Sequence, residues 1–519
     1  EIQLRLEMNR VRDFVAVAWA RTLQQVARLL GPRFPIVLAA LLSIVAVVDT
    51  YRYPLMSRLE ARTYDFIVRH RLIAAPADPD IVVLDIDEAS LAAMAEDYGR
   101  WPWPRAVLGE MLEDLERQGA RAVFFDILFA DPDVQNPDSE RLFNDSVAAS
   151  KKSYFAMLRL ARSRDDKSEL HASQVPAVTR VPEAGNEDPT VAMLLPRFPA
   201  IIASGRLGTV DAEPDRDGVV RRFGLYEDAG AWRIPSLPLT MGKGLGFEIP
   251  DERLVQLNWR GAPFSYRFVP FHEVYLDLLR KERRRDPKEF AGKIVLIGST
   301  APALFDLRAT PMASVHPGVE ILATAIDNLK NRDYFRTVSK DVSLAISLVL
   351  VWTLALGLRS WVRGSLNTPI AFTVQVILLL LAFASMNFTH YYIDLVGPFS
   401  LGLMLLLLLG IRADLRERAA QVDLAVMRVL ERGTRYRVLF LFIESRKPRL
   451  AARTRAWLLD RICTSHARGR LADPPYGGNG LLGADFASLT IAYWLVPEGD
   501  EAGATAASEE RQRLAKGIE

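Results

Sequence analysis

The residues best suited to chemistry are aspartates and hydroxyls at the ends of short apolar runs. Asp85 and Asp87 close the run 81–86, Asp126 lies on the run 122–129, and Ser299 and Thr300 follow Gly298 at the end of 293–298, with Asp306 soon after. An open α/β sheet binds ligands in the crevice beyond the carboxyl ends of its strands, so these oxygens converge on one rim if the strands are neighbours. Such a set can exchange a proton between carboxyls or hold a hard cation such as calcium. A structural alternative uses the same residues. In it Asp87 caps a helix starting near residues 88–90, Asp126 and Asp306 accept from backbone amides, and Gly298-Ser299-Thr300 closes a strand.

Trp101-Pro102-Trp103-Pro104-Arg105 can form an aromatic wall for an apolar or cationic ligand, or a rigid lid that fixes the entry of the next helix. In the second case Arg105 is placed to pair with Asp126 or Asp87. The series Asp211, Glu213, Asp215, Asp217, Gly218 resembles a calcium loop, but Gly224 stands where the closing glutamate belongs, which favours a solvated turn. His272 and His316 are isolated, and the single cysteine, Cys463, rules out an internal disulfide and a cysteine-rich zinc site. No metal and no cofactor is expected.

The elements that would position these residues are legible as alternating patterns. Buried strands are expected at 81–86, 122–129, 154–158 and 293–298, with helices at 104–118 and 318–328 and a further short apolar run at 200–204. The strands at 81–86 and 122–129, joined by a helix, imply a parallel pair with a right-handed crossover. Residues 49–340 therefore read as an α/β domain, mainly a parallel sheet with flanking helices.

Around it lie four apolar runs: 34–48 before, and 342–358, 369–386 and 395–411 after. The last three are about 17–18 residues each, near the lower limit for a membrane helix, and contain no Lys, Arg, Asp or Glu. The first reads as a signal anchor, because 33 residues precede it and no cleavage pattern follows. Arg21, Arg28 and Arg33, then Arg359 and Arg363, then Arg412, Arg416 and Arg418 flank these runs, and four spans put all three sets on one side. Both termini are then cytoplasmic and 49–340 is outside a bacterial inner membrane. Thr373 and Gln375 read as helix–helix hydrogen bonders rather than a transport path. The balance of 65 basic and 63 acidic residues offers no global case for a nucleic-acid partner. Residue 1 is Glu, so the natural start is expected upstream.

Several motifs resemble CHASE2, the extracytoplasmic sensory domain of bacterial receptors. They are Ile86-Asp87-Glu88 with Ser90-Leu91, Trp101 to Arg105, Gly119-Ala120, Phe125 to Phe129, and Asp217-Gly218-Val219-Val220-Arg221-Arg222. Gly292 to Thr300, Asp306, Thr310-Pro311 and Pro317-Gly318-Val319-Glu320 complete the order. The resemblance implies one span before the domain and three after it, and a role in passing an external stimulus to a cytoplasmic cyclase or kinase. It carries no catalytic role to any of these positions.

The cytoplasmic end departs from that pattern. Residues 412–432 carry Leu415, Ala419, Val422, Val426 and Val429 at the spacing of a short coiled coil, which admits a homodimer. A small α/β region at 433–498 holds strands at 438–443 and 488–496 and a basic helix at 450–466, and the polar tail 499–519 reads as disordered. At about 65 residues this region is smaller than the usual output enzymes, and it has no nucleotide-binding loop. The expectation is a sensor that is not itself an enzyme and that hands its stimulus to a partner protein through 412–500. The alternative is a receptor enzyme with a divergent output domain.

Overall fold

The runs 81–85, 122–125 and 294–298 are buried along their whole length, as strands covered on both faces must be. A computed structural model describes residues 34–181, 185–304, 306–360, 367–427, 436–444, 469–472, 489–497 and 501–516. It opens with helices α1 (Phe34–Tyr51) and α2 (Ser57–Arg69), followed by β1 (Ile81–Asp85), α3 (Glu88–Tyr98), α4 (Arg105–Arg117), β2 (Ala122–Phe125), α5 (Pro137–Ala149) and β3 (Ser153–Arg159). Next come β4 (Thr179–Arg180), β5 (Met193–Leu194), α6 (Pro199–Ser204), β6 (Leu207–Thr209), β7 (Arg222–Gly224), β8 (Tyr226–Ala229), β9 (Trp232–Pro235) and α7 (Leu237–Gly244). The domain closes with β10 (Leu254–Gln256), β11 (Arg267–Pro270), α8 (Phe271–Leu278), β12 (Ile294–Gly298), β13 (Leu307–Arg308), β14 (His316–Pro317), α9 (Gly318–Asn331) and β15 (Arg336–Thr337).

Strands β11, β1, β12, β2 and β3 lie side by side in parallel, with β6 parallel and β5 antiparallel to β3. The side chains of β1, β2 and β12 alternate between two buried faces. Val82, Leu84, Val123, Phe125, Val295 and Ile297 join one core with Val107, Met111 and Leu115 of α4. The opposite set, Ile81, Val83, Phe124, Ile294 and Leu296, is equally buried, and α9 packs on β1 and β12. One expectation fails here: β1 and β2 are parallel but not neighbours, because β12 lies between them. Two helices, α3 and α4, occupy the connection, and that length carries the chain past an intervening strand. The expected strand 122–129 also stops at Phe125, and the run 200–204 is helical.

Two buried arginines tie the irregular segments to this frame. Arg221 bonds Asp65 of α2 through Nε and Nη2 (2.7 and 2.8 Å) and also reaches Asp215 (3.0 Å) and Asp217 (2.7 Å). The calcium-like series is thereby divided, since two of its carboxylates serve Arg221. Arg260 pairs with Asp327, which is fully buried, and with Asp333 at 2.6 Å.

The domain, Met56 to Ser339, forms one compact unit together with Leu380–Asp394. That second stretch contains the end of α11 (Asn367–Phe388) and β16 (Tyr391–Tyr392), which pairs with β15. The other unit holds α1, α10 (Lys340–Ser360), most of α11 and α12 (Val396–Met427). It also holds β17 (Tyr436–Glu444), β18 (Gly469–Ala472), β19 (Leu489–Pro497) and α13 (Glu501–Lys516).

Among the described residues three helices are long and apolar enough to cross a membrane, at Phe34–Tyr51, Lys340–Gly357 and Pro369–Phe388. A shorter apolar stretch, Val396–Ile411, begins α12, which continues unbroken to Met427. In this unit Trp352 Nε1 donates to Ser43 Oγ (3.1 Å), linking α10 to α1. Thr373 donates within its own helix to Pro369 O (2.8 Å), and the buried Gln375 amide has no hydrogen-bond partner among the described residues, so neither makes the expected bond between helices.

Strands β17, β19 and β18 form an antiparallel sheet against which α13 packs. The segment assigned to a disordered tail is therefore helical from Glu501 to Lys516. Its alanines favour a helix, and Glu501 in the first turn and Arg513 and Lys516 in the last complement the helix dipole. The expected helix 450–466 lies outside the described residues.

Candidate functional site

Pairing brings the carboxyl ends of β1, β12 and β2 together in that order. Asp85 stands opposite Gly298 and Ile297 opposite Phe125, while the Asp126 amide donates to Ile297 O (2.9 Å). The rim expected from sequence therefore exists, and its members fall into two groups.

In the first group both Asp85 oxygens are engaged by Thr300, one by its amide (2.9 Å) and the other by its hydroxyl (2.6 Å). Burial pushes the Asp85 carboxyl up to about 6, the two Thr300 bonds oppose that shift, and the Asp87 charge adds to it. Asp87 caps α3 by accepting from the Ser90 amide (2.7 Å). Ser299 donates to Ile86 O (2.8 Å) and accepts from the Ala301 amide (3.0 Å). For Asp87 and Ser299 the structural alternative is the observed one. Asp85 and Thr300 join two strand ends through a carboxyl that burial raises to about 6.

The second group gathers around Asp126. Burial raises its carboxyl well above the usual range, and the charges of Asp306 and Asp211 push the same way while Arg308 opposes them. Asp306 and Asp211 are also raised, both chiefly by burial and both countered by Arg308. Asp306 occupies the space a side chain on Gly318 would need, beside the first turn of α9, and its carbonyl accepts from the Gly318 amide (2.9 Å). Gly298 is similarly constrained, since a Cβ there would lie 2.6 Å from Val319 Cγ2 and 3.3 Å from Asp126 Cβ.

Asp211 and Arg308 were not anticipated as rim residues. Asp211 reaches the rim because β6 pairs in parallel with β3, and its carboxylate accepts the Arg159 amide (3.2 Å). Arg308 arrives on the two-residue strand β13. Long-range pairing places Asp211, whereas Arg308 is placed by the local pairing of β13 with β14 just after Asp306.

The tryptophan segment belongs elsewhere. Trp103 is buried in the core, tilted against Phe271 at 5.2 Å, and Trp101 meets it edge-on at 4.9 Å. The pair packs at the entry to α4. Arg105 is buried over the Phe129 ring at 5.3 Å, and the carboxylates acting on it are Asp133, Glu140 and Asp131. The expected pairing with Asp126 or Asp87 is not formed, because Phe129 takes up the guanidinium face.

A cluster of protonatable carboxyls with one arginine can store and release a proton as its surroundings change. Among the described residues no group of three or more His, Cys, Asp or Glu side chains is arranged to hold a metal ion.

Searches of curated proteins and of solved structures return no match. The CHASE2 domain model matches residues 38–358, from within α1, across the whole sheet and its carboxyl rim, to the end of α10. With more than half of its length in that match, the chain belongs to the CHASE2 family, the sensory extracellular domain of signalling proteins.

Proposed function

We propose that the chain is a membrane-anchored sensor with residues 49–340 outside the inner membrane, one span before them and three after, and both termini in the cytoplasm. The observation that carries this reading is the extent of the CHASE2 match, which runs from one apolar helix through the α/β domain into the next. Arginine placement supports the orientation, since the short flanks rich in Arg fall on one side when Val396–Ile411 counts as the fourth span.

The stimulus is received at the rim formed by Asp85, Thr300, Asp126 and Asp306, with Asp211 and Arg308 as further members. It leaves through α12 and the small sheet region, residues 412–500, to a separate cytoplasmic protein, and residues 412–519 supply no catalysis of their own. The test is purification of the full chain beside a version lacking 412–500. One stoichiometric partner recovered only with the full chain is the expected result. Nucleotide cyclisation or phosphoryl transfer by the purified full chain, lost on the deletion, would establish a receptor enzyme instead.

A further inference from the structure

Helix α2 has two faces that differ in kind. Tyr64, Ile67 and Val68 are buried, with the Tyr64 hydroxyl donating to Leu257 O (3.0 Å) and its ring edge-on to Tyr392 at 5.3 Å. The exposed stripe is Arg58, Leu59, Arg62, Phe66 and Arg69, at the spacing of one helical face, and it contains no acidic residue. Phe66 is 59% exposed and stacks on His70 at 4.3 Å, while Leu72 and Ile73 continue the apolar surface at 76% and 57% exposure. Arg58 and Arg62 form no ion pair with the described residues. A surface that alternates arginines with large apolar groups suits a bilayer interface, where apolar side chains enter below the headgroups and guanidinium groups meet phosphate.

Two ties connect this stripe to apolar helices. The amides of Leu72 and Ile73 donate to Asn387 Oδ1 (2.7 and 3.3 Å), in the last turn of the apolar helix Pro369–Phe388. Only residues 52–56 separate α2 from the end of the apolar helix Phe34–Tyr51, a reach of roughly 20 Å at full extension.

We infer that the stripe of α2, with Leu72 and Ile73, lies in the outer leaflet interface and binds anionic phospholipid through Arg58 and Arg62. The inference rests on the membrane reading above, and its occupant is lipid rather than a second copy of the chain. Lipid composition then bears on the same helix that Arg221 ties to the sensor domain through Asp65.

The test uses the full chain with Cys463→Ser, carrying an environment-sensitive fluorophore on Phe66→Cys or, separately, on Leu380→Cys. Leu380 is 60% exposed within the apolar helix Pro369–Phe388. The protein is placed in nanodiscs of phosphatidylcholine with about one quarter phosphatidylglycerol, and nitroxides are carried either on the headgroup or on the acyl chain. The Phe66 label should lose about half its intensity to the headgroup nitroxide, and Arg58→Gln with Arg62→Gln should cut that quenching about twofold and remove its dependence on phosphatidylglycerol. The Leu380 label should be quenched by the acyl-chain nitroxide. Quenching at Leu380 without quenching at Phe66 overturns the interfacial helix alone, and so does efficient crosslinking of two copies through Phe66→Cys. No quenching at Leu380 overturns the membrane reading itself.

Discussion

Gly298 sits where β12 meets the first turn of α9, and its lack of a side chain sets how close they approach. Gly298→Ala places a methyl 2.6 Å from Val319 Cγ2, so it should cost about 1–3 kcal/mol and lower the thermal midpoint of the purified chain. An unchanged midpoint would mean that α9 yields without cost. The carboxyls beside it predict a pH dependence. Asp85, at about 6, and Asp126, Asp211 and Asp306 all hold their protons more tightly folded than unfolded. Their stabilising contribution is full below the ordinary value of 3.8 and is lost as pH rises through the folded value. The midpoint should therefore rise as pH falls from about 7 to about 5, and Asp85→Asn should flatten that rise. A midpoint that falls across this window would contradict the burial of these groups. Of these residues, Asp85, Asp126 and Asp306 were legible as strand-end carboxylates. Asp211 was not, because it reaches the rim through the pairing of β6 with β3, distant in sequence, and Arg308 was not, because it arrives on the short strand β13 just after Asp306. The surroundings of Arg105 were not legible, because the ring and carboxylates around it, Phe129, Asp131, Asp133 and Glu140, come from the loop and helix after β2.

Elements were easier to read than their neighbours in space. The buried runs of β1 and β12 and the helices α4 and α9 carry strong local periodicity, whereas the insertion of β12 between β1 and β2 is a property of the whole sheet. Helix ends can be tested directly. Asp87→Ala removes the side chain that accepts the Ser90 amide and should cost about 1 kcal/mol by denaturant unfolding, while Asp87→Ser should recover most of it. The attachment of α2 depends on Arg221, which is 3% exposed and faces Asp65, Asp215 and Asp217. Arg221→Met leaves those carboxylates without their shared cation and should cost roughly 3–5 kcal/mol. A loss below about 1 kcal/mol would show that water replaces the guanidinium readily. At the far end, small, polar composition obscures α13, although its alanines and its terminal charges both favour a helix.

At the scale of the whole molecule, the proposed topology assigns each part to one side of the membrane. The chain offers its own probe in Cys463, its single cysteine, which the proposed topology puts in the cytoplasm. Val134, 81% exposed in the loop after β2, belongs to the part proposed to lie outside. The most direct test labels intact cells with a membrane-impermeant maleimide, comparing the natural chain with Val134→Cys in a Cys463→Ser background. With the proposed topology, Val134→Cys reacts in intact cells and Cys463 reacts only after the membrane is opened. Labelling of Cys463 from outside, with Val134→Cys protected until permeabilisation, would contradict it.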